Sequence, residues 1–253
     1  MIKSILGVLW IVLACSYAGI CLGQDVPALF KQAETFEKTF REEEALLKYE
    51  EIIRKEPANI DALCKASELY NIVGKRYESK TRQKEYFSKG KQLAQTALKL
   101  NPNHSEANFA MAISMGRMAL ISSGQEKIKA VRDIKLYADK SVSTDPKNYK
   151  GYYLIGRWNY DVSDLSSIEK WLVKVSFGAL PPSSLSEAIK NYQKSMRLNP
   201  SFILNYLELA RAYKRNDETP KARQLLQQMQ RLPPASTEDI KIKGTGKKML
   251  DDL

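Results

Sequence analysis

Five prolines that recur at equivalent points of amphipathic segments constrain this 253-residue chain more than any other feature. Each follows a stretch with helical periodicity, where a residue that cannot continue a helix is expected. An apolar or small residue lies twelve positions before each proline, and another lies eight positions before it. The prolines are Pro57, Pro102, Pro146, Pro200 and Pro234; the residues before them are Ala45, Gly90, Ile134, Ala188 and Ala222, then Tyr49, Ala94, Ala138, Tyr192 and Leu226. This register predicts the second helices of repeated hairpins.

The residues after the prolines supply the other half of a tetratricopeptide repeat (TPR) pattern, best matched by Tyr206, Leu209, Ala210 and Tyr213. Pro200 and Pro234 are 34 residues apart, which is the period of that repeat. The earlier intervals are longer, and the extra residues fall between the two helices of a unit. We therefore predict an all-α, TPR-like superhelical solenoid of about five helical hairpins, with an inserted helix and a C-terminal capping helix. The expected units are 26–59, 60–104, 105–148, 149–202 and 203–236 within one domain over 24–253, and the expected cap is 237–253.

The longest insertion lies between Val162 and Ser183, and it predicts an additional short helix that ends before Pro181 and Pro182. Its apolar residues share one helical face, with Trp171 beside them; they are Leu165, Ile168, Leu172 and Val175. Two roles remain open for this segment. It could cover the end of an elongated hairpin or form a platform for a partner.

The first 23 residues have the features of a secretory signal peptide. Lys3 precedes an uncharged apolar run over 5–22, and the small residues Cys21 and Gly23 stand three and one positions before Gln24. We therefore predict export across the membrane to a periplasmic or secreted location. A retained N-terminal membrane anchor and lipidation at Cys15 are the alternatives. Cleavage would leave Cys64 as the single cysteine, expected to be a buried apolar residue.

The formal net charge of +11 raises the question of an anionic partner. Its lysines and arginines are scattered along helices and interrupted by acids, and no nucleic-acid-binding motif is present, so we predict no nucleic-acid partner. A solvated helix surface is the expected role of the charge, with attraction to an acidic envelope surface as the alternative. Contact with a membrane is expected only through the N-terminal segment.

The sequence has no pattern for bond-making chemistry. Its single histidine, His104, is expected in an exposed turn, and no cysteine and histidine set has metal-ligand spacing. No nucleophile elbow, phosphate loop or dinucleotide turn is present. We therefore predict a non-enzymatic protein without cofactor or metal. An enzyme with an unrecognised site remains the remote alternative.

In such arrays the first helices of the units line the concave face, so helical periodicity predicts which side chains point into it. Aromatic residues beside bases there would suit a partner protein or peptide with acidic groups or a free C-terminal carboxylate. The alternative is that Tyr153 and Tyr160 only pack between helices. The predicted peptide-binding residues are Phe109, Arg117, Tyr153, Arg157, Tyr160, Arg211 and Lys214.

The segment over 154–163, with Pro181-Pro182 and the stretch Leu198-Asn199-Pro200, resembles the regulator of microtubule dynamics family. The resemblance covers most of 60–240 and implies a TPR-like fold and a binding-scaffold role. Microtubule association does not follow, because a secretory signal replaces the organelle-targeting segments of the animal proteins. The resemblance favours an interaction scaffold of the cell envelope. A structural subunit of a larger assembly, using the convex or inserted surface, is the alternative.

Overall fold

The computed structural model of the protein describes residues 25–253, and within that range it contains twelve helices and no strand. The helices are α1 (Val26–Lys38), α2 (Glu42–Lys55), α3 (Ile60–Gly74), α4 (Lys80–Leu100), α5 (Ser105–Ile121), α6 (Gly124–Thr144), α7 (Tyr149–Ser163), α8 (Ser167–Phe177), α9 (Leu185–Leu198), α10 (Ile203–Arg215), α11 (Thr219–Arg231) and α12 (Thr237–Asp251). The prediction of an all-α solenoid is confirmed. The predicted signal peptide over 1–23 lies outside the described residues.

Helices that are close in the chain pack in pairs, which are α1 with α2, α3 with α4, α5 with α6, α7 with α9, and α10 with α11. Successive pairs then contact each other through α2 and α3, α4 and α5, α6 and α7, and α9 and α10. Each of the five repeated prolines lies in the turn that follows the second helix of a pair. Because each pair packs mainly on its neighbours, the architecture is that of a solenoid.

The residue two positions after each of these prolines begins the next helix. The side chains of Asn59, His104 and Asn148 each accept a hydrogen bond from a backbone amide in the first turn, at 3.0 to 3.3 Å. After Pro234, the Ser236 hydroxyl accepts a hydrogen bond of 3.1 Å from the Asp239 amide. Such caps satisfy an amide that has no partner inside the helix. His104 is therefore a partly buried helix cap, whereas the sequence predicted an exposed turn residue.

The residues at the repeated positions before the prolines form contacts between helices. Nine of those ten residues are buried, and the exception is Ile134, which is half-buried. Small residues allow close approach: the Gly90 carbonyl accepts a hydrogen bond of 2.7 Å from Ser67, and a Cβ on Gly90 would lie 2.8 Å from Asn71 Nδ2. The pattern thus marks where neighbouring helices come closest.

The buried apolar side chains form four clusters along the described part of the chain. Half-buried residues belong to two clusters at once, and they link each cluster to the next. In chain order, the clusters contain Leu29, Leu63, Met111 and Tyr192 respectively. Ile53 and Leu93 link the first cluster to the second, Leu98 links the second to the third, and Tyr137 links the third to the fourth. The apolar core is therefore a continuous packing seam from one unit to the next, and each unit covers an apolar face that its neighbour cannot bury alone.

The predicted inserted and capping helices are both present, as α8 and α12. The last helix packs on α10 and α11 and buries Ile242 and Gly246 there. Within the described range, none of the helices combines the length and the apolar character that a bilayer span requires.

The first turn of α12 also reaches back to the beginning of the solenoid. The Thr237 hydroxyl donates a hydrogen bond of 2.7 Å to Glu42 Oε1, and Arg76 Nη2 lies 3.0 Å from the same oxygen. Lys75 forms an ion pair with Glu238 beside them. Burial alone would raise the pKa of Glu42, but these hydrogen bonds outweigh it, so its pKa is lowered. Side chains of the capping helix therefore meet side chains of the first two units.

Candidate functional site

The first helices of four consecutive units, together with Tyr49 of α2, line a pocket of about 540 Å³. Because α1, α3, α5 and α7 all contribute to it, the pocket belongs to the inner surface of the solenoid. Its lining residues are Phe30, Glu34, Tyr49, Asp61, Cys64, Lys65, Glu68, Glu106 and Lys150. Burial raises the pKa of the Cys64 thiol, so this cysteine behaves as an apolar wall residue.

A lysine clasp at one side of this pocket connects three units. Lys150 Nζ on α7 lies 3.0 Å from a carboxylate oxygen of Glu68 on α3 and 3.1 Å from one of Glu106 on α5. The ammonium also lies 4.9 Å from the centroid of the Phe109 ring. Burial alone would lower the pKa of Lys150, but the two carboxylates outweigh that effect, so its pKa is raised. The clasp is therefore a charged link across neighbouring first helices.

The lining of the pocket carries four acids and two lysines. Glu34 and Asp61 are exposed, and neither makes a hydrogen bond or ion pair with a described residue. Lys65 is already paired with Glu37 at 3.2 Å, and Glu37 also accepts a hydrogen bond from Tyr49. We call this surface, formed by Glu34, Asp61, Glu68 and Glu106, the acidic pole of the groove.

The other end of the inner surface carries arginines around one buried carboxylate. Arg157 Nη1 on α7 lies 2.9 Å from Glu208 Oε1 on α10, and Arg211 Nη1 lies 2.8 Å from the same oxygen. The Glu208 side chain is only 3% exposed, while Arg157 also pairs with Asp161 at 2.7 Å. Because both arginines use one oxygen, Oε2 of Glu208 is buried without a partner among the described residues.

Arg117 on α5 lies near Arg157 and forms no ion pair with a described acid. Its Nε is buried and makes no hydrogen bond within the described part of the chain. Burial lowers the pKa of Arg117, and the nearby Arg157 guanidinium lowers it further, while Tyr153 and Glu238 act in the opposite direction. We call Arg117, Arg157, Arg211 and Lys214 the basic pole; Lys214 is exposed and has no ion-pair partner among the described residues.

The aromatic residues predicted for the groove are mostly packed between helices. Phe109 is 6% exposed and Tyr153 is 8% exposed, and the Tyr153 ring contacts those of Tyr192 and Phe202 at centroid distances of 6.0 and 5.2 Å. Burial and the nearby Glu208 raise the pKa of the Tyr153 phenol, which keeps it neutral. Tyr160 is half-buried beneath the Arg215 guanidinium, 5.0 Å from its ring centroid. The structure thus brings Arg117, Tyr153, Arg157 and Arg211 together and leaves Phe109 beside the clasp.

Comparisons with known proteins place the chain in relation to a protein family. Residues 29–253 match the family model described as Regulator of microtubule dynamics protein 1-3. The chain belongs to this family. It is 30% identical to human Regulator of microtubule dynamics protein 2 over 184 residues, which are 71% of this chain and 45% of that protein. It is 26% identical to rat Regulator of microtubule dynamics protein 3 over 180 residues, which are 71% of this chain and 38% of that one. The match thus spans less than half the length of these relatives.

Solved structures share the fold at low sequence identity. A thermophilic TPR protein from Thermus thermophilus superposes with a TM-score of 0.68 at 10% identity, over 89% of this chain and 99% of that one. PilF of Pseudomonas aeruginosa superposes with a TM-score of 0.54 at 11% identity, over 90% and 85% of the two chains. These likenesses establish the TPR-like fold.

The segment over 154–163 that resembles the regulator of microtubule dynamics family lies within α7, between the two poles of the groove. Gly156 meets the Tyr192 ring, Arg157 belongs to the basic pole, and Trp158 donates a 2.7 Å hydrogen bond to the Val131 carbonyl. In this family member, one segment therefore joins the packing seam to the inner surface.

Two central residues of the groove were not among the predicted site residues. Glu208 stands in the repeat pattern between Tyr206 and Leu209, and its spacing of three from Arg211 is the one local sign of its pairing. Lys150 has no such sign, because its partners are 82 and 44 residues away in the chain.

Proposed function

We propose that the protein is a non-enzymatic interaction scaffold whose inner groove binds a segment of another protein. Membership of the regulator of microtubule dynamics family and the TPR-like fold support the general role. The observation that carries the specific proposal is Arg117: its side chain is half-buried, its Nε is buried without a hydrogen bond, and it has no ion-pair partner among the described residues.

Partial burial of a cation without a partner is costly, because the hydration that its buried atoms lose is not replaced. Arg117 has Arg157 nearby, and the nearby acid Glu238 is paired with Lys75. A carboxylate of a bound segment would supply the missing negative charge and accept the free hydrogen bond. The basic pole is therefore proposed to hold an acidic side chain or a C-terminal carboxylate.

The two poles would also orient the bound segment. The acidic pole lies on α1, α3 and the start of α5, and the basic pole lies on α7, α10 and the end of α5. A segment with a basic end and an acidic end would match both, and the reversed direction would place like charges together.

Replacing Arg117 with methionine tests the proposal, because it removes the charge but keeps an unbranched side chain. We expect binding of acidic peptides to weaken at least about tenfold, whereas the free energy of unfolding stays equal or rises by about 1 kcal/mol. Binding is measured by calorimetry with peptides that end in a free carboxylate or in an amide. The amide arm separates a C-terminal carboxylate from acidic side chains.

The matched control is Arg223→Met, because Arg223 is exposed on α11, a second helix. It is expected to leave binding unchanged. Equal affinity of the Arg117→Met variant and the parent protein would contradict the proposal, as would a large loss of stability in that variant.

We also propose that residues 1–23 direct export, so that the scaffold acts in the cell envelope or outside the cell. The support is the sequence pattern alone. Expression in the native host should give a protein that begins at Gln24 in the exported fraction. N-terminal sequencing that begins at Met1, or retention in the cytoplasm, would contradict this proposal.

A further inference from the structure

The inserted helix α8 buries none of its described side chains in the rest of the protein. It is nevertheless a well-defined helix. The Ser166 hydroxyl accepts a 3.2 Å hydrogen bond from the Glu169 amide, and Glu169 Oε2 accepts one of 2.7 Å from the Ser166 amide. This capping box starts the helix, and Gly178, with φ of 80°, ends it. The sequence therefore specifies a helix that the solenoid does not use for its own core.

The apolar residues of α8 form one exposed stripe. Ile168, Trp171, Leu172 and Val175 follow the spacing of one helical face, and they are 71%, 59%, 50% and 65% exposed. Four of the nine large apolar side chains that are exposed in the described part of the chain thus lie on this 11-residue helix. The alternative that the insertion covers the end of its hairpin does not account for this face, because the face covers nothing.

The charges around the stripe are basic. Lys170 and Lys174 are exposed on α8, and its only acid, Glu169, is used in the capping box. Arg132 on α6 donates a hydrogen bond to the Gly178 carbonyl, which places α6 beside the end of α8. Lys129 precedes Arg132 by three positions and so lies on the same face of α6. A helix with an apolar stripe that includes tryptophan, and with lysines on its polar side, matches the interface of an anionic bilayer.

The size of the stripe favours a bilayer over a protein partner. Four side chains of these types expose on the order of 400 Å². A stable protein interface needs about 800 Å² from each partner, with polar groups at its rim. A bilayer sets no such minimum, because a short amphipathic helix can insert a few apolar side chains while its lysines contact lipid phosphates.

We infer that α8 docks on the surface of an anionic lipid bilayer. Ile168, Trp171, Leu172 and Val175 enter the boundary between headgroups and acyl chains. Lys170 and Lys174 lie at the level of the phosphates. The solenoid is then held at the membrane while its groove stays free, which goes beyond the proposed binding role and uses none of the groove residues.

The test uses the chain from Gln24 onward, which contains every described helix, because the apolar run over 5–22 would bind vesicles by itself. Co-sedimentation is measured with vesicles of phosphatidylcholine alone and of phosphatidylcholine mixed with phosphatidylglycerol. We expect binding to the mixed vesicles that weakens with salt and falls at least about tenfold in a Trp171→Glu, Val175→Glu variant.

The matched control is Leu47→Glu, Leu120→Glu, which adds the same two charges at leucines that are 60% and 73% exposed on other helices. This variant should bind the mixed vesicles with at most the small loss that its added charge causes. Because all four positions are exposed, both variants are expected to fold, which circular dichroism checks.

The inference is overturned if the parent protein does not bind the mixed vesicles, or if the α8 variant binds as well as the control. It is also overturned if the parent self-associates in ultracentrifugation and the α8 variant does not, because the stripe would then bind a second copy. Failure of peptide binding in the Arg117→Met variant would leave vesicle binding unchanged, so the two proposals fail separately.

Discussion

Replacing Gly156 with valine is expected to lower the free energy of unfolding by about 3 kcal/mol. Gly156 lies in the middle of α7, where a Cβ would be 2.7 Å from Cδ1 and 2.9 Å from Cε1 of the Tyr192 ring. Tyr192 is fully buried and its ring packs against that of Tyr153, so neither side of the contact can move away at low cost. Urea denaturation followed by circular dichroism measures the change.

Gly116→Val is the matched control, because Gly116 is also inside a helix but a Cβ there would make only an ordinary van der Waals contact. The nearest heavy atom to a Cβ there is Ile134 Cδ1 at 3.9 Å. We expect the free energy of unfolding of this variant to stay within about 0.5 kcal/mol of that of the parent protein. The difference in helix propensity between valine and glycine is small compared with the effect expected at Gly156. Equal losses in the two variants would show that the close approach of α7 and α9 is not what Gly156 provides.

Replacing Lys150 with methionine is expected to cost about 2–3 kcal/mol, because it leaves Glu68 and Glu106 next to each other without a cation. The Lys150 and Glu68 side chains are 22% and 19% exposed, so the expected loss in free energy of unfolding is smaller than for a fully buried ion pair. The control is Lys190→Met, whose i,i+3 pair with Glu187 is exposed and should contribute less than about 0.5 kcal/mol.

The clasp also predicts a pH dependence. The pKa of Lys150 is raised in the folded protein above its ordinary value of 10.5. Its contribution is therefore fully present below that value and declines as the pH rises toward the folded-state pKa. The difference in unfolding free energy between the parent and Lys150→Met should thus shrink as the pH is raised above about 10.5. A difference that stays constant with pH would contradict the ionic origin of the effect.

The fold could be predicted from the sequence because the residues that define each repeat are close together in the chain. A proline, an apolar or small residue twelve positions earlier and the first residue of the next helix two positions later lie in one short stretch, so the register is visible without any knowledge of contacts. The inserted helix was predictable for the same reason, since its capping residues and its apolar stripe are both contained in 166–178.

The charged part of the groove was only half predictable. Helical periodicity singled out Arg157 and Arg211, and in the structure both pair with Glu208, which the sequence did not single out. The Lys150 clasp and the contact between Thr237 and Glu42 depend on residues 44 to 195 positions apart. Glu42 illustrates the limit: an acid in the first turn of α2 is explained locally by the helix dipole, whereas the fold also makes Glu42 the acceptor of the Thr237 hydroxyl on the capping helix.

The most direct test of the binding role is photo-cross-linking from the two surfaces in the native host. A photoreactive residue is placed at Lys214, on the basic pole, and in a second variant at Lys190, which is 73% exposed on the second helix α9. The groove proposal predicts that a partner protein is cross-linked from position 214 and not from position 190. Cross-linking from position 190 alone would contradict it.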